Sequence, residues 1–226
     1  MKAMLLAAGR GERLRPLTDD TPKPLLQVGQ RALIEHHLLA LARAGFKEVI
    51  INIAWHAGQI QAALGNGRRF GLRIHYSLET AGALDTGGGV RAALPLLGKA
   101  PFLLVSADTF TDFDFARLRE PAVVAGSARV VLVDNPPHHH AGDFALQGGC
   151  VSNAPRQYTY AGIGVYAPDL FARESEPSFP LAQVIRRAAA AGRVQGLHHA
   201  GVWLDVGRPA TLAAARAHFA AICKAT

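Results

Sequence analysis

The chain has 226 residues, 50% hydrophobic, 18% charged and 7% aromatic, with 24 Lys and Arg against 17 acids for a formal charge of +7. A chain of this length buries a core without staples, and its two cysteines, Cys150 and Cys223, stand far apart outside any CxxC pattern, which argues against a zinc ribbon, an iron–sulfur cluster or a disulfide framework. The positive charge favours an anionic partner; its dispersal, without dense basic runs or interleaved aromatics, argues against nucleic acid, and no stretch is apolar enough for a membrane span.

The opening apolar run Ala3 to Ala7 reads as a buried strand that ends in Ala8-Gly9. It is too short for a signal h-region and is followed by a glycine-containing basic stretch, so a reducing, cytoplasmic setting is expected. From Gly9 to Pro24 two glycines and three prolines make regular structure improbable, and a loop this long inside a compact chain points to binding. Ile34, Leu38, Leu41 and Ala42 recur at helical spacing up to Gly45, and Glu48 to Asn52 reads as a second strand. His56 to Leu64 is expected as a helix, Leu72 to Tyr76 as a strand, Val90 to Leu97 as a helix and Phe102 to Val105 as a strand running into Ser106-Ala107-Asp108. This alternation predicts an α/β fold, a Rossmann-like, mostly parallel sheet with helices on both faces and ligands beyond the carboxyl ends of its strands.

After about residue 120 the pattern loosens into extended pieces near Arg129 to Val133, Asp143 to Leu146, Gly162 to Tyr166 and Val202 to Asp205. A small β-rich lid or subdomain is expected there. Helices follow at Leu181 to Ala191 and from Pro209 to about Ile222, with Pro209 suited to a first helical position. No linker, low-complexity tract or repeat divides the chain, so residues 1–226 read as one domain, with a nucleotide-binding part to about residue 120 and the remainder from about 121 to 226.

The first loop has the makings of a phosphate site. Glycines let the backbone approach closely, successive N–H groups can face anionic oxygens, and Arg13 and Lys23 add charge-assisted donors. Generic motifs fail: Leu14 stands where a dinucleotide fingerprint needs its third glycine, which disfavours a nicotinamide oxidoreductase, and no GxxxxGK[ST] exists.

The segment Leu6-Ala7-Ala8-Gly9-Arg10-Gly11-Glu12-Arg13-Leu14-Arg15-Pro16-Leu17-Thr18 with Thr21-Pro22-Lys23-Pro24-Leu25 closely resembles the signature of the sugar-1-phosphate nucleotidylyltransferases. Asn52 to Trp55, Leu84 to Gly89, Thr111 to Phe115, Asn135-Pro136, Gly142 to Phe144 and Trp203 to Gly207 extend the resemblance over nearly the whole chain. It implies a fold of the nucleotide-diphospho-sugar transferase type with a sugar-binding lid, and small-molecule substrates, a nucleoside triphosphate and a sugar 1-phosphate. UTP and an N-acetylated hexose 1-phosphate lead; GTP with mannose 1-phosphate is the alternative. It further implies Mg²⁺ between Asp108 and Asp205, with Arg13, Lys23 and Asp108 as the catalytic groups. Ala7, Ala8, Gly9, Gly11 and Glu12 would cradle the triphosphate beside Arg13 and Lys23, Gly87 and Gly88 would lie by the base and ribose, and Asn52, Asp143, Gly162 and Trp203 would serve the sugar. A monomer or small homo-oligomer is expected.

Two departures from the family pattern stand out. Ala107, after Ser106, replaces the usual glycine before the first metal aspartate, where a positive φ would strain alanine, and Arg208 replaces a common threonine after Gly207. Both favour a competing reading, a catalytically silent nucleotide-sugar sensor. The triplet His138-His139-His140 follows the loop signal Asn135-Pro136-Pro137; three consecutive side chains do not converge readily on one ion, so it reads as a solvated or lid loop rather than a metal site.

Overall fold

The computed structural model describes residues 1–79, 84–120, 122–172 and 174–225, the side chains of 223–225 excepted, so the expectation for Cys223 lies outside the described residues. The first half runs β1 (Ala3–Leu6), β2 (Gln27–Val28), β3 (Arg31–Ala32), α1 (Leu33–Arg43), β4 (Glu48–Ile53), α2 (Ala57–Leu64), β5 (Arg73–Leu78), α3 (Asp85–Leu97), β6 (Phe102–Ser106) and β7 (Thr109–Thr111). The second half adds β8 (Ala128–Asp134), β9 (Ala145–Gln147), β10 (Cys150–Ser152), β11 (Tyr158–Tyr166), α4 (Leu181–Ala190), β12 (Val194–His198), β13 (Trp203–Asp205) and α5 (Pro209–Ala225).

A nine-stranded sheet has the order β5-β4-β1-β6-β11-β8-β12-β10-β9. β5, β4, β1 and β6 are parallel, β11 is antiparallel to β6 and β8, and β12 is parallel to β8. Alternation along β1 shows why its run is apolar throughout. Ala3 and Leu5 enter a cluster with Ile34, Leu38 and Leu41 of α1 and Ile60 and Leu64 of α2. Met4 enters the opposite cluster with Val90, Ala93 and Leu97 of α3 and Val184, Ile185 and Ala188 of α4. Helices therefore cover both faces, and a strand buried on both needs no polar side chain. Among the described residues, no helix is long and apolar enough to cross a membrane.

The extended pieces after residue 120 mostly widen this same sheet. β8, β11 and β12 continue it, the β9–β10 hairpin forms its far edge, and β13 pairs with β7 in a separate two-stranded ribbon. α3 begins at Asp85 rather than Val90, so Gly87, Gly88 and Gly89 lie in its opening turns. Propensity disfavours three glycines in a helix, but a close neighbour requires them: a Cβ on Gly87 would fall 2.4 Å from the Phe179 ring, and one on Gly88 2.3 Å from the Pro177 carbonyl oxygen.

A third cluster sets the site. Leu14, Leu26, Val28, Leu33, Phe110, Val206, Leu212 and Ala215 pack together, so α5, the β2–β3 ribbon, the first loop and the β7–β13 ribbon share one apolar floor. Leu14 follows Arg13, Val206 follows Asp205, and Phe110 stands two residues after Asp108. Burying these three side chains in one place brings the polar residues beside them to one edge.

Candidate active site

The loop after β1 is braced from beneath. Thr18 Oγ1 donates to the Gly11 carbonyl at 2.8 Å, Trp55 Nε1 donates to the Thr18 carbonyl at 3.3 Å, and the Arg10 guanidinium lies 4.5 Å over the Trp55 ring. Two short 3₁₀ turns, Glu12–Leu14 and Lys23–Leu25, interrupt what the prolines and glycines led one to expect as wholly irregular chain. Gly11 has φ +72, and a Cβ there would meet both Lys23 Cβ and Thr18 Cγ2 at 3.1 Å, so glycine serves backbone and packing together.

Lys23 is buried, and its Nζ lies 2.6 Å from Asp108 Oδ2, which is more open to solvent. A buried ammonium needs such a partner. Asp108 stands just past the end of β6, where an open α/β sheet presents ligands. The ribbon aligns Asp205 with Thr109, and Val206 N donates to the Asp108 carbonyl at 2.8 Å, so backbone bonding joins the two aspartates from opposite halves of the chain. Gly207 leaves room between Asp205 and Arg13: a Cβ there would lie 2.9 Å from Arg13 Nη2 and 3.0 Å from Asp205 Oδ1. Ala107 is fully buried, its N–H bonded to the Leu6 carbonyl at 3.0 Å, and its φ is not positive, so the strain expected of alanine there is absent.

Two cavities share this edge. The first, about 590 Å³, is lined by Ala7, Ala8, Gly9, Gly11, Glu12, Arg13, Lys23 and Asp108, together with Asn52, Glu79, Asp85 and Thr86. The second, about 480 Å³, is lined by Asp205, Gly162, Trp203, Tyr160, His138, His139 and Arg208 among others. Arg13 and Asp108 belong to both, with Leu6, Thr86 and Ser106, so the pair forms one cleft with a charged waist.

Four expected positions stand apart from the rest of the expected arrangement. Gly87 and Gly88 line neither cavity: their N–H groups donate to the Phe179 carbonyl at 2.9 and 3.2 Å, and Asp85 and Thr86 face the first cavity instead. Asn52, expected at the sugar end, lies on the first cavity with its amide already engaged; Oδ1 accepts from Ala7 N at 2.8 Å and Nδ2 donates to Glu79 Oε1 at 2.7 Å. Asp143 lines neither cavity. It accepts from Tyr160 N at 3.0 Å and bonds the His139 ring at 3.1 Å, bracing the wall behind the second cavity.

Gly162 and Trp203 do line the second cavity, Trp203 Nε1 donating to the Ala161 carbonyl at 2.9 Å. Tyr160 is joined by the Tyr166 hydroxyl at 2.7 Å, and burial pushes the Tyr160 phenol well above its ordinary range, so it faces the cavity as a neutral group. The histidine loop closes over this end, with His138 Nε2 3.7 Å from Asp205 Oδ2. Sequence reasoning gave no site role to Glu79, Asp85, Thr86 or Tyr160; Asp85 and Thr86 left a signal, in their place just before the three glycines.

A model of the nucleotidyl transferase family matches residues 2–147. The chain belongs to that family. The N-acetylmuramate alpha-1-phosphate uridylyltransferase of Neisseria meningitidis serogroup B is 48% identical to this nucleotidyl transferase over 225 residues, 96% of the chain and 97% of its own length. The mannose-1-phosphate guanylyltransferase catalytic subunit beta of Drosophila melanogaster is 28% identical over 92% of this chain and 60% of its own. Among solved structures, a Bacillus anthracis protein provisionally named glucose-1-phosphate thymidylyltransferase matches with a TM-score of 0.84 at 22% identity, covering 96% of this chain and 94% of its own, which supports the fold. By family the chain is a sugar-1-phosphate nucleotidyltransferase, and such enzymes generally use a divalent metal. Asp108 and Asp205, joined through the ribbon backbone, offer oxygen ligands of the kind such a metal takes. Among the described residues no three His, Cys, Asp or Glu side chains form a metal cluster, and two hard carboxylates suit a cation that keeps water and phosphate oxygens as its other ligands.

Proposed function

We propose that the chain transfers a uridylyl group from UTP to N-acetylmuramate 1-phosphate, giving UDP-N-acetylmuramate and pyrophosphate, a step of peptidoglycan recycling. One observation carries the reading: two cavities meet at Arg13 and Asp108, as a reaction needs when two anionic substrates converge on one phosphorus. The choice of base and sugar rests on the 48% identity to the Neisseria uridylyltransferase along nearly the full length of both chains. Residues to about 120 hold the nucleotide in this reading, and those from about 121 to 226 hold the sugar.

A phosphate oxygen of the sugar 1-phosphate attacks the α-phosphorus of UTP; the new P–O bond forms as the bond to the β-phosphate oxygen breaks, and the electron pair leaves with pyrophosphate. The backbone N–H groups from Gly9 to Glu12 and the guanidinium of Arg13 hold the triphosphate, and Lys23 shares its charge between Asp108 and the α-phosphate. Asp108 and Asp205 would hold Mg²⁺, which when bound would supply positive charge against the repulsion between the two substrates and the charge developing on the leaving group. The attacking oxygen is already ionised near neutral pH, so no side chain has to remove a proton, unlike the transfer of a phosphoryl group to an alcohol.

The fully buried Ala107, free of left-handed backbone, removes one ground for a catalytically silent sensor. The test is a pyrophosphate-release screen of four nucleoside triphosphates against a panel of sugar 1-phosphates. UTP with N-acetylmuramate 1-phosphate is expected to give the highest kcat/KM. GTP with mannose 1-phosphate in that place would substitute the activity named for the Drosophila relative, and release with no pair would restore the sensor.

A further inference from the structure

The cations of the cleft divide by position. Arg13 lies on both cavities, Lys23 on the first, and Arg208 on the second. The reaction proposed above brings phosphate charge to the waist, where Arg13, Lys23 and the metal held by Asp108 and Asp205 answer it. That account leaves Arg208 unused. Its backbone is fixed at the start of α5: Arg208 N donates to Thr211 Oγ1 at 3.2 Å, and its carbonyl accepts from Thr211 Oγ1 and Leu212 N, each at 3.0 Å. Among the described residues no carboxylate pairs with its guanidinium. The same cavity offers Pro136, Tyr160, Ala161, Leu181, Ala182 and Trp203 as apolar wall, and of its two arginines Arg208 is the one that does not also line the first cavity. A guanidinium gains most there from a carboxylate, which it bonds with two parallel N–H donors.

We propose that Arg208 reads a carboxylate on the sugar, so that the second cavity selects hexosamine 1-phosphates with an acidic substituent over neutral ones. This rests on reading that cavity as the sugar end, and it names the group that tells the preferred substrate from its neutral counterpart. N-acetylmuramate differs from N-acetylglucosamine by a lactyl ether, whose carboxylate is ionised at neutral pH. The lactyl methyl suits the apolar wall and the carboxylate suits Arg208.

The test compares wild type, Arg208→Ala and Arg208→Lys for kcat/KM with UTP on N-acetylmuramate 1-phosphate, its lactyl methyl ester and N-acetylglucosamine 1-phosphate. Binding of the same sugars is measured in parallel by calorimetry, which needs no turnover. Arg208→Ala is expected to reduce the preference for the acidic over the neutral sugar by about tenfold or more, as losing a charge-assisted bond does. Arg208→Lys regains part of it, and wild type treats the methyl ester as a neutral sugar. Equal losses on acidic and neutral sugars would assign Arg208 to the shared phosphate and overturn the proposal. Binding selectivity that vanishes in Arg208→Ala, in a protein that transfers no uridylyl group, would keep the carboxylate contact and sink the proposed reaction. Absence of selectivity in wild-type binding overturns the contact whatever the reaction.

Discussion

At Gly162 one missing atom holds two strands in register at the cleft. Its φ is +74, and a Cβ built there would lie 2.6 Å from Ser106 Oγ and 2.8 Å from Ser106 Cβ. Gly162→Ala therefore meets two separate penalties: left-handed backbone costs an L-residue about 1–2 kcal/mol, and a methyl forced into filled space costs about 1–3 kcal/mol. The sum is about 2–5 kcal/mol, a large share of a typical domain's stability. Rotating Ser106 gives no relief, because its Cβ is nearly as close as its hydroxyl. Either β6 or β11 has to move, and β6 leads directly into Asp108, so turnover of the folded protein should fall as well. Ser106→Gly removes both clashing atoms and leaves the backbone penalty. On a double-mutant cycle by urea unfolding, the second substitution should recover about 1–3 kcal/mol of the loss. A Gly162→Ala protein as stable as wild type, or a cycle with no coupling between the two positions, would refute the steric account.

Other substitutions test the waist of the cleft. Asp108→Asn and Asp205→Asn should each leave a folded protein whose turnover falls about 100-fold or more, since charge stabilisation at the transferring phosphorus is usually the largest catalytic contribution; near-normal turnover of either would remove that residue from the ligand pair. Lys23→Ala should weaken catalysis strongly and Lys23→Arg should not restore it fully, because a planar fork replaces a point charge 2.6 Å from Asp108. Equal activity of the arginine variant would put Lys23 outside the phosphate site. Buried His37, bonded through Nε2 to the Thr109 carbonyl at 2.7 Å, has its pKa lowered by burial from 6.5 to about 4. The unfolded chain takes up that proton first, so stability is whole above pH 6.5 and drains away between 6.5 and about 4, by up to about 3 kcal/mol. Urea midpoints across that range, measured with a chelator present, should lose this slope in His37→Gln; an unchanged slope would show that His37 does not set it.

What the sequence made legible follows from how locally each feature is determined. β1, α1, β4 and β6 are written in short apolar runs or helical spacing with a glycine or polar stop nearby, and they fold as read. Arg13 and Lys23 stood in a signature with fixed spacing, Asp108 and Asp205 came from the family resemblance, and the four line the two adjoining cavities. The start of α3 was hidden because its glycines are chosen for Phe179 and Pro177, distant residues that no local window contains. Asn52 and Asp143 were polar residues in motif-like settings, yet both spend their hydrogen bonds on neighbouring chain, Asn52 on Ala7 and Glu79, Asp143 on Tyr160 and His139. The sheet order beyond β6 was equally out of reach, since short strands with mixed directions carry no record of their neighbours.

The bond from Val206 N to the Asp108 carbonyl bears on the newborn chain. During synthesis the strands β5, β4, β1 and β6 can pair, and the first cavity can begin to form, long before residue 205 leaves the ribosome. The aspartate pair cannot. It exists only once β13 has laid itself along β7 and Leu212 has joined Leu14 on the apolar floor. A growing chain thus begins its first cavity well before the two aspartates of the proposed pair can meet.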